Sequence, residues 1–391
     1  MLITTQKELK AQLKALKSVP FITVDTEFLR EKTYFPKLCL IQISGPDKQA
    51  FAIDTLASDI DLEPLFKLLL DEKILKIFHA ARADMEIFYQ IMDGQLPKPI
   101  FDTQIAAMVC GYGDSVGYEN LVRNVLNHEL DKSVQYTNWS HRPLSERQID
   151  YALGDVTHLV DLYHHFSAQL EKRGRTHWVF EEEEVMTNPE TYAIDPQVSW
   201  KRVKIKSPKP KNLAVLRALA AWREEQAQSR DMPKNWVLRD ETLADIAGQI
   251  PTKVSALKKI RNIPGDVTKS GLGETLIGLI QDALASDKEN WPEVKKKKPL
   301  PPSAAAKLDI VKMLLKIEAA QNDVAAKLIA SNDDLEALIL DKEPAKNPIL
   351  KGWRHEVFGK EAEALKKGEI AIGLRGSRIV KFKIDEKTEA A

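Results

Sequence analysis

Five residues in three short segments have the types and spacing for chemistry: Asp25 and Glu27 in FITVDTEF, Asp84 in IFHAARADMEIF, and Tyr151 with Asp155 in YALGDVTHL. Four carboxylates and a phenol suit a site that holds two divalent cations and hydrolyses a phosphodiester. The first segment reads as a strand, since Phe21, Ile22, Val24 and Phe28 are apolar or aromatic and Thr23 and Thr26 are β-branched. Strand side chains alternate with period two, so Asp25 and Glu27 emerge on one face. Adjacent acids on a mostly buried strand repel each other and lose hydration, a cost that a cation between them removes.

The element that must bring Tyr151 and Asp155 to that strand is a helix. Tyr151, Leu153, Val156, Leu159, Val160 and Leu162 form a broad apolar stripe, and residues four apart on a helix are neighbours. In the middle segment, ILKIFHA reads as a short buried strand. RADMEIFYQIM then places Met85, Phe88, Tyr89 and Met92 at helical spacing. Asp84 falls in the first turn of that helix, where an acid is favoured by the helix dipole in any protein. Only its company with the other acids marks it.

Taken jointly, the three segments resemble the DEDD superfamily of 3′-to-5′ exonucleases, in the subgroup whose last motif is Tyr-x-x-x-Asp. The first motif is Asp25-x-Glu27, the second His79-Ala-Ala-Arg82-Ala-Asp84, the third Tyr151-x-x-x-Asp155. The stretch from Lys132 through Gln135, Trp139, Arg142-Pro143-Leu144 and Gln148 to Tyr151 also resembles the ribonuclease D family. Two departures stand out: Ala83 where many members carry Glu, and Asn138 where many carry Asp before the Trp. Neither replaces a motif carboxylate.

The resemblance implies a ribonuclease H-like α/β fold and a 3′-to-5′ exoribonuclease acting on RNA, with tRNA precursors bearing free 3′ ends as the substrate class. It also implies roles. Asp25 would bridge two ions, Glu27 and Asp155 would complete the site of the ion that activates water, and Asp84 would hold the second ion. Tyr151 would orient or help deprotonate the water. An all-oxygen ligand set favours Mg²⁺ or Mn²⁺ over zinc, and no nucleotide cofactor is expected. His79, Trp139 and Arg142 are candidate substrate contacts: Trp139 for stacking on a base, Arg142 for a phosphate. Strand-end packing is the structural alternative for His79, and a core role for Trp139.

The 391 residues suggest two or three domains. Hydrophobic content of 43% and charged content of 29% are those of a soluble globular protein. No apolar stretch approaches the ~18 residues of a membrane span, and the start MLITTQKELKAQLK lacks the pattern of a secretory signal. A cytoplasmic monomer is the expectation. Cys39 and Cys110 lie in apolar contexts and form no Cys/His cluster, so both read as buried reduced thiols and no zinc site is expected.

A net charge of zero hides an asymmetry. Residues 1–200 hold 20 Lys and Arg against 30 Asp and Glu, residues 201–300 hold 21 against 12, and the last 91 hold 16 against 15. An acidic block that holds metals and a basic block that meets a polyanion can share a chain without sharing a surface.

The acidic block alternates strand and helix patterns. FITVDTEF, KLCLIQIS and QAFAID suggest an antiparallel meander, and the later strand–helix–strand succession suggests parallel pairing, hence a mixed sheet. Asp102 in FDTQIAAM reads as a helix N-cap. The Pro- and Lys-rich VKIKSPKPKN places a boundary near Ser207, so residues 1–206 read as the exonuclease domain.

Residues 207–290 read as an all-α bundle. Trp222-Arg223, Pro233, Leu243-Ala244-Asp245-Ile246-Ala247, Pro251 and Leu257 to Ile260 resemble an HRDC domain, a module associated with nucleic-acid binding. Lys253, Lys258, Lys259, Arg261 and Lys269 are its candidate phosphate contacts by charge and position. Residues 291–306 form a basic Pro-rich linker, and 307–391 a second HRDC-like helical domain by position. The tail GLRGSRIVKFKIDEKTEAA is expected to be partly mobile. Two rival readings stay open: a DNA 3′-to-5′ exonuclease, and a noncatalytic RNA-binding protein that keeps the fold.

Overall fold

The computed structural model describes residues 1–384 except Gln135, Tyr136, Asp266, Thr268, Ser270 and 295–298; the Lys132 side chain is also outside the description. Gln135, the lysine run of the linker and the last residues of the tail therefore lie outside the described residues. Two compact units emerge. One comprises Met1–Glu27, Cys39–Thr191 and Pro299–Ala391, the other Phe28–Leu38 and Tyr192–Lys298.

The first unit is built on a six-stranded sheet: β1 (Leu2–Ile3), β2 (Phe21–Leu29), β3 (Lys37–Ser44), β4 (Ala50–Asp54), β5 (Leu75–Phe78) and β6 (Ile100–Asp102), in the order β1-β4-β3-β2-β5-β6. β3 and β4 are antiparallel, with Leu40 opposite Asp54. β2, β5 and β6 run parallel, with Thr23 opposite Ile77 and Phe78 opposite Asp102. This is the mixed sheet expected of a ribonuclease H-like fold. β1 was not legible: two residues carry no period, and only its parallel pairing with Ala52 and Ile53 makes it a strand.

The helices of this part are α1 (Gln6–Ala15), α2 (Glu63–Leu69), α3 (Arg82–Ile91), α4 (Thr103–Val109), α5 (Tyr118–Leu126), α6 (Glu146–Arg173) and α7 (Thr176–Glu183). α6 starts in a capping box between Ser145 and Gln148 and ends at Gly174, whose φ of 67° only a residue without Cβ adopts easily. Between those caps its apolar stripe buries Val156, Leu159, Val160, Phe166 and Leu170. Full burial of each such side chain contributes on the order of 2 kcal/mol, enough in sum to hold the helix across the sheet.

The C-terminal helices share this core. Leu314, Trp353 and Phe358 belong to the same buried cluster as Phe101, Leu159 and Trp178, Trp178 stacks on Trp353 with centroids 4.5 Å apart, and Arg354 pairs with Glu182 at 2.5 Å. The tail departs from expectation. Residues 370–383 form an antiparallel hairpin, β7 (Ile370–Arg375) and β8 (Arg378–Lys383). Alternation in IAIGLR and RIVKFK around a Gly-Ser turn is the local reason.

The second unit is helical around Pro210–Ser229, Asp240–Gln249 and Leu272–Ala285. Its core holds Val215, Leu216, Leu219, Leu243, Ile246, Leu257 and Leu276. A Cβ on Gly273 would lie 2.5 Å from the Val267 carbonyl oxygen, so only glycine allows that approach. Residues 28–38, from the end of β2 to the start of β3, belong to this unit: the Tyr34 hydroxyl donates to Glu224, and Asp231 accepts the backbone N–H groups of Tyr34 and Phe35 at 3.1 and 3.0 Å. Among the described residues no helix is long and apolar enough to cross a membrane.

Candidate active site

β2 lies between β3 and β5 in the sheet and runs parallel to β5. Its pairing with β5 ends at Thr23, and Asp25 and Glu27 follow beyond that last pair, at the carboxyl end where open α/β sheets place their sites. α6 crosses there. The Thr23 hydroxyl donates to the Val156 carbonyl at 2.8 Å, and the Tyr118 hydroxyl donates to the Asp155 carbonyl. These two bonds fix the turn of α6 that presents Asp155 to β2.

Ligand atoms of Asp25, Glu27 and Asp155 consequently lie within 4.8 Å of one another. Three like charges this close in a desolvated cleft oppose ionisation. Burial raises the Asp25 carboxyl to about 6. Burial, with repulsion from Asp25, Asp155 and Asp84, raises Glu27 to about 10. Asp155 is pushed well above the carboxylate range by burial and Asp25, with the Tyr151 hydroxyl close enough to oppose the rise. Tyr151 itself is raised, first by burial and then by these acids.

Asp84 stands apart from that trio. It sits in the first turn of α3, is 6% exposed, and accepts a hydrogen bond from the Thr26 hydroxyl. Burial and the nearby Asp25 raise its carboxyl well above the ordinary value. The turn into α3 is held by Asp102, which accepts from the N–H groups of Ala80 and Ala81 at 3.0 and 2.8 Å and caps α4 through Gln104 N–H at 2.7 Å. The N-cap reading of Asp102 thus covers half its work.

The trio fits a divalent cation. Its donors are all oxygens, as hard cations require. Asp155 Oδ1 is buried and has no hydrogen-bond partner among the described residues, an arrangement that leaves it free for a metal.

Two candidate substrate contacts are corrected. Trp139 is 2% exposed, its ring centroid 6.2 Å from that of Tyr151, so it offers no face to a base and instead packs against Tyr151. Arg142 is fully engaged inside the fold: Nε and Nη2 donate to the two oxygens of Asp54 at 2.7 Å each, Nη1 to the Trp139 and His141 carbonyls, and Nη2 to the Cys39 carbonyl. No donor remains for a phosphate. His79 takes the structural alternative, with Nδ1 3.0 Å from Thr103 Oγ1 and its ring 5.4 Å from that of Tyr118.

Asn138, at the position of the second departure, accepts from Ser140 N–H and Oγ at 3.0 and 2.7 Å and closes its own turn. Lys253, Lys258 and Arg261 are exposed on the helical unit. The hydrogen-bonding roles of Thr23 and Thr26, and Tyr118 altogether, are not read from the sequence. Thr26 could have been flagged by its place between two motif acids, while Tyr118 carries no local signal.

The sheet, the crossing helix and the carboxylate cleft define a nuclease of the 3′-to-5′ exonuclease class, and residues 1–171 match the 3′-5′ exonuclease family. Residues 212–280 match the HRDC domain. The chain is 45% identical to a ribonuclease D of Nitrobacter hamburgensis over 97% of this chain and 98% of that protein. It is 44% identical to one of Zymomonas mobilis over 99% of both. The crystal structure of Escherichia coli RNase D, an exoribonuclease involved in structured RNA processing, superposes with a TM-score of 0.82 at 30% identity, covering 94% of this chain and 98% of that one. The chain belongs to the ribonuclease D family of 3′-to-5′ exoribonucleases.

Proposed function

We propose that this protein removes nucleotides from RNA 3′ ends by a two-metal mechanism, with tRNA precursors that bear free 3′ ends as its substrate class. The observation that carries the reading is the meeting of Asp25, Glu27 and Asp155 within 4.8 Å, one oxygen of Asp155 left unpaired among the described residues. Bound divalent ions, Mg²⁺ or Mn²⁺ from the hardness of the ligands, supply a water of lowered pKa and neutralise charge on the attacking and leaving oxygens.

The chain's own residues do the remainder. Asp25 would be the ligand shared between the ions, Glu27 and Asp155 would complete the site of one, and Asp84, oriented by Thr26, would hold the other. Tyr151 projects beside Asp155 from the preceding turn of α6, packed by Trp139, and orients the attacking water through its hydroxyl. Its raised pKa keeps that hydroxyl protonated at neutral pH, so it acts as a donor rather than a phenolate. Lys253, Lys258 and Arg261, exposed on the helical unit, would contact backbone phosphates, a role their charge supports. The working species in this reading is a cytoplasmic monomer.

The test is an end-labelled RNA with a structured body and a free 3′ tail, incubated with magnesium, manganese or chelator. A ladder receding from the tail in the metal lanes alone is expected. No mononucleotide release in any lane would return the protein to the noncatalytic RNA-binding reading, and equal trimming of a matched DNA strand would broaden the substrate class.

A further inference from the structure

The hairpin β7–β8 is a two-sided element with one side committed to the fold. Cross-strand pairs alternate between faces: Ile370–Lys383, Ile372–Lys381 and Leu374–Ile379 share one, and Ala371–Phe382, Gly373–Val380 and Arg375–Arg378 share the other. The first face is anchored at the end away from the turn, whereas Leu374 and Ile379 next to the turn are 76% and 46% exposed. Ile372 packs on the core cluster, and Lys381 Nζ bonds Glu318 at 2.6 Å and Glu361 at 3.1 Å.

The second face combines an aromatic plane with two cations. The Phe382 ring is 47% exposed and lies directly over Gly373, where a Cβ would come within 2.9 Å of it. Arg375 and Arg378 flank the turn and are exposed. Residues 370–384 hold four Lys or Arg and no Asp or Glu. Lys381 is spent on its two glutamates on the first face, so the second face carries the exposed charges of Arg375 and Arg378. An exposed aromatic ring and two guanidinium groups on one face, in a stretch without acids, is a composition that stacks a base and neutralises nearby phosphates. It is unlike the apolar, charge-depleted centre of a protein interface.

We propose that this face of the β7–β8 hairpin is a docking surface for single-stranded RNA, in which Phe382 stacks on a base and Arg375 and Arg378 contact the adjoining phosphates. It lies outside the carboxylate cleft and deepens the functional reading above, on which it rests for its RNA substrate. A contact with the RNA away from the end being removed keeps the substrate bound between cuts, and a base-tolerant platform supplies it without sequence preference.

The experiment uses the full chain in chelator, so that nothing is cut, and an unstructured 5′-fluorescein 20-nucleotide RNA followed by anisotropy. Phe382→Leu keeps Gly373 covered but removes the stacking plane, and is expected to weaken binding about tenfold. Arg375→Ala with Arg378→Ala is expected to lower the slope of log affinity against log salt by about 1.4. Phe382→Trp should bind as the parent or tighter. A 5-iodouridine in the same RNA should cross-link to the peptide containing Phe382.

Unchanged affinity and salt slope in both variants, with no cross-link at the hairpin, would overturn the docking surface; so would a hairpin that captures protein while RNA affinity stays constant. Trimming of a six-nucleotide RNA in magnesium is measured alongside. Its failure in the parent protein defeats the exoribonuclease reading, whereas the hairpin stands or falls on the binding arm alone.

Discussion

The Thr26 hydroxyl donates to the Asp84 carboxylate, so the residue between the two acids of β2 reaches the acid that opens α3. One strand thereby places three of the four carboxylates: Asp25 and Glu27 through their own backbone, Asp84 through this bond. Outer partners that orient metal-ligating carboxylates govern affinity nearly as much as the ligands themselves. Thr26→Val, which keeps the shape and removes the donor, should weaken activation by Mn²⁺ about 10- to 100-fold in a metal titration of RNA trimming. Thr26→Ser should restore most of it. An unchanged activation curve for the valine variant would separate Asp84 from the metal site.

Asp25→Asn and Asp155→Asn remove charge without changing volume. Each should lower the rate of 3′-end trimming by about 10³-fold or more, since a metal site of this kind supplies several kcal/mol of charge stabilisation. Each should also leave the folded protein at least as stable in the absence of metal, because it relieves repulsion in a desolvated cleft. Near-parental turnover in either variant contradicts the assignment.

Tyr151→Phe should slow single-turnover cleavage by about 10²-fold with less than threefold change in RNA affinity, the signature of a group used in the chemical step. Comparable losses in both quantities would make Tyr151 a packing residue beside Trp139 instead.

Without metal, stability should fall as pH rises. The folded pKa values of Asp25, about 6, and Glu27, about 10, lie above the ordinary carboxylate range. A raised folded value means a contribution fully present below the unfolded pKa and lost as pH climbs through the folded one. The loss therefore runs from about pH 4 to 6 for Asp25 and on to about 10 for Glu27. Mg²⁺ or Mn²⁺ should offset it and release protons on binding. Melting curves at pH 5, 7 and 9 with and without metal check this: the gap between them should widen with pH, and a constant gap contradicts the picture.

Arg142→Ala should act on stability rather than on RNA. It strands Asp54, which is 5% exposed, and frees three carbonyls, a cost of about 3 kcal/mol for breaking a largely buried pair. Thermal denaturation should register the loss while the RNA dissociation constant in chelator moves little. Arg142→Lys should recover only part, since an ammonium cannot bond both Asp54 oxygens in the fork geometry of a guanidinium.

Much of the site was legible because local periods determine it. Period two puts Asp25 and Glu27 on one face of β2, a four-residue spacing puts Tyr151 over Asp155 on α6, and both follow from residue type and backbone geometry alone. The mixed sheet and the all-α character of residues 210–285 were readable for the same reason: each element announces itself within ten or so residues. Trp139 and Arg142 were not readable. A tryptophan or an arginine in a loop can face solvent or core at equal local cost, and only the packing of Trp139 against Tyr151 and the fork of Asp54, 88 residues away, settle the matter.

By itself, then, the sequence determined the acids and phenol, the strand and helices that present them, and the family to which the chain belongs. Tertiary structure alone decided which of those acids meet: Asp25, Glu27 and Asp155 in one cluster, Asp84 held beside it by Thr26. It also decided that β1 exists, that the C-terminal helices share a core with α6, and that residues 370–383 fold as a hairpin. The physical reason is range. Propensity and periodicity act over a few residues, whereas desolvated charge, hydrogen bonds such as Tyr118 to Asp155, and core packing join segments scores of residues apart.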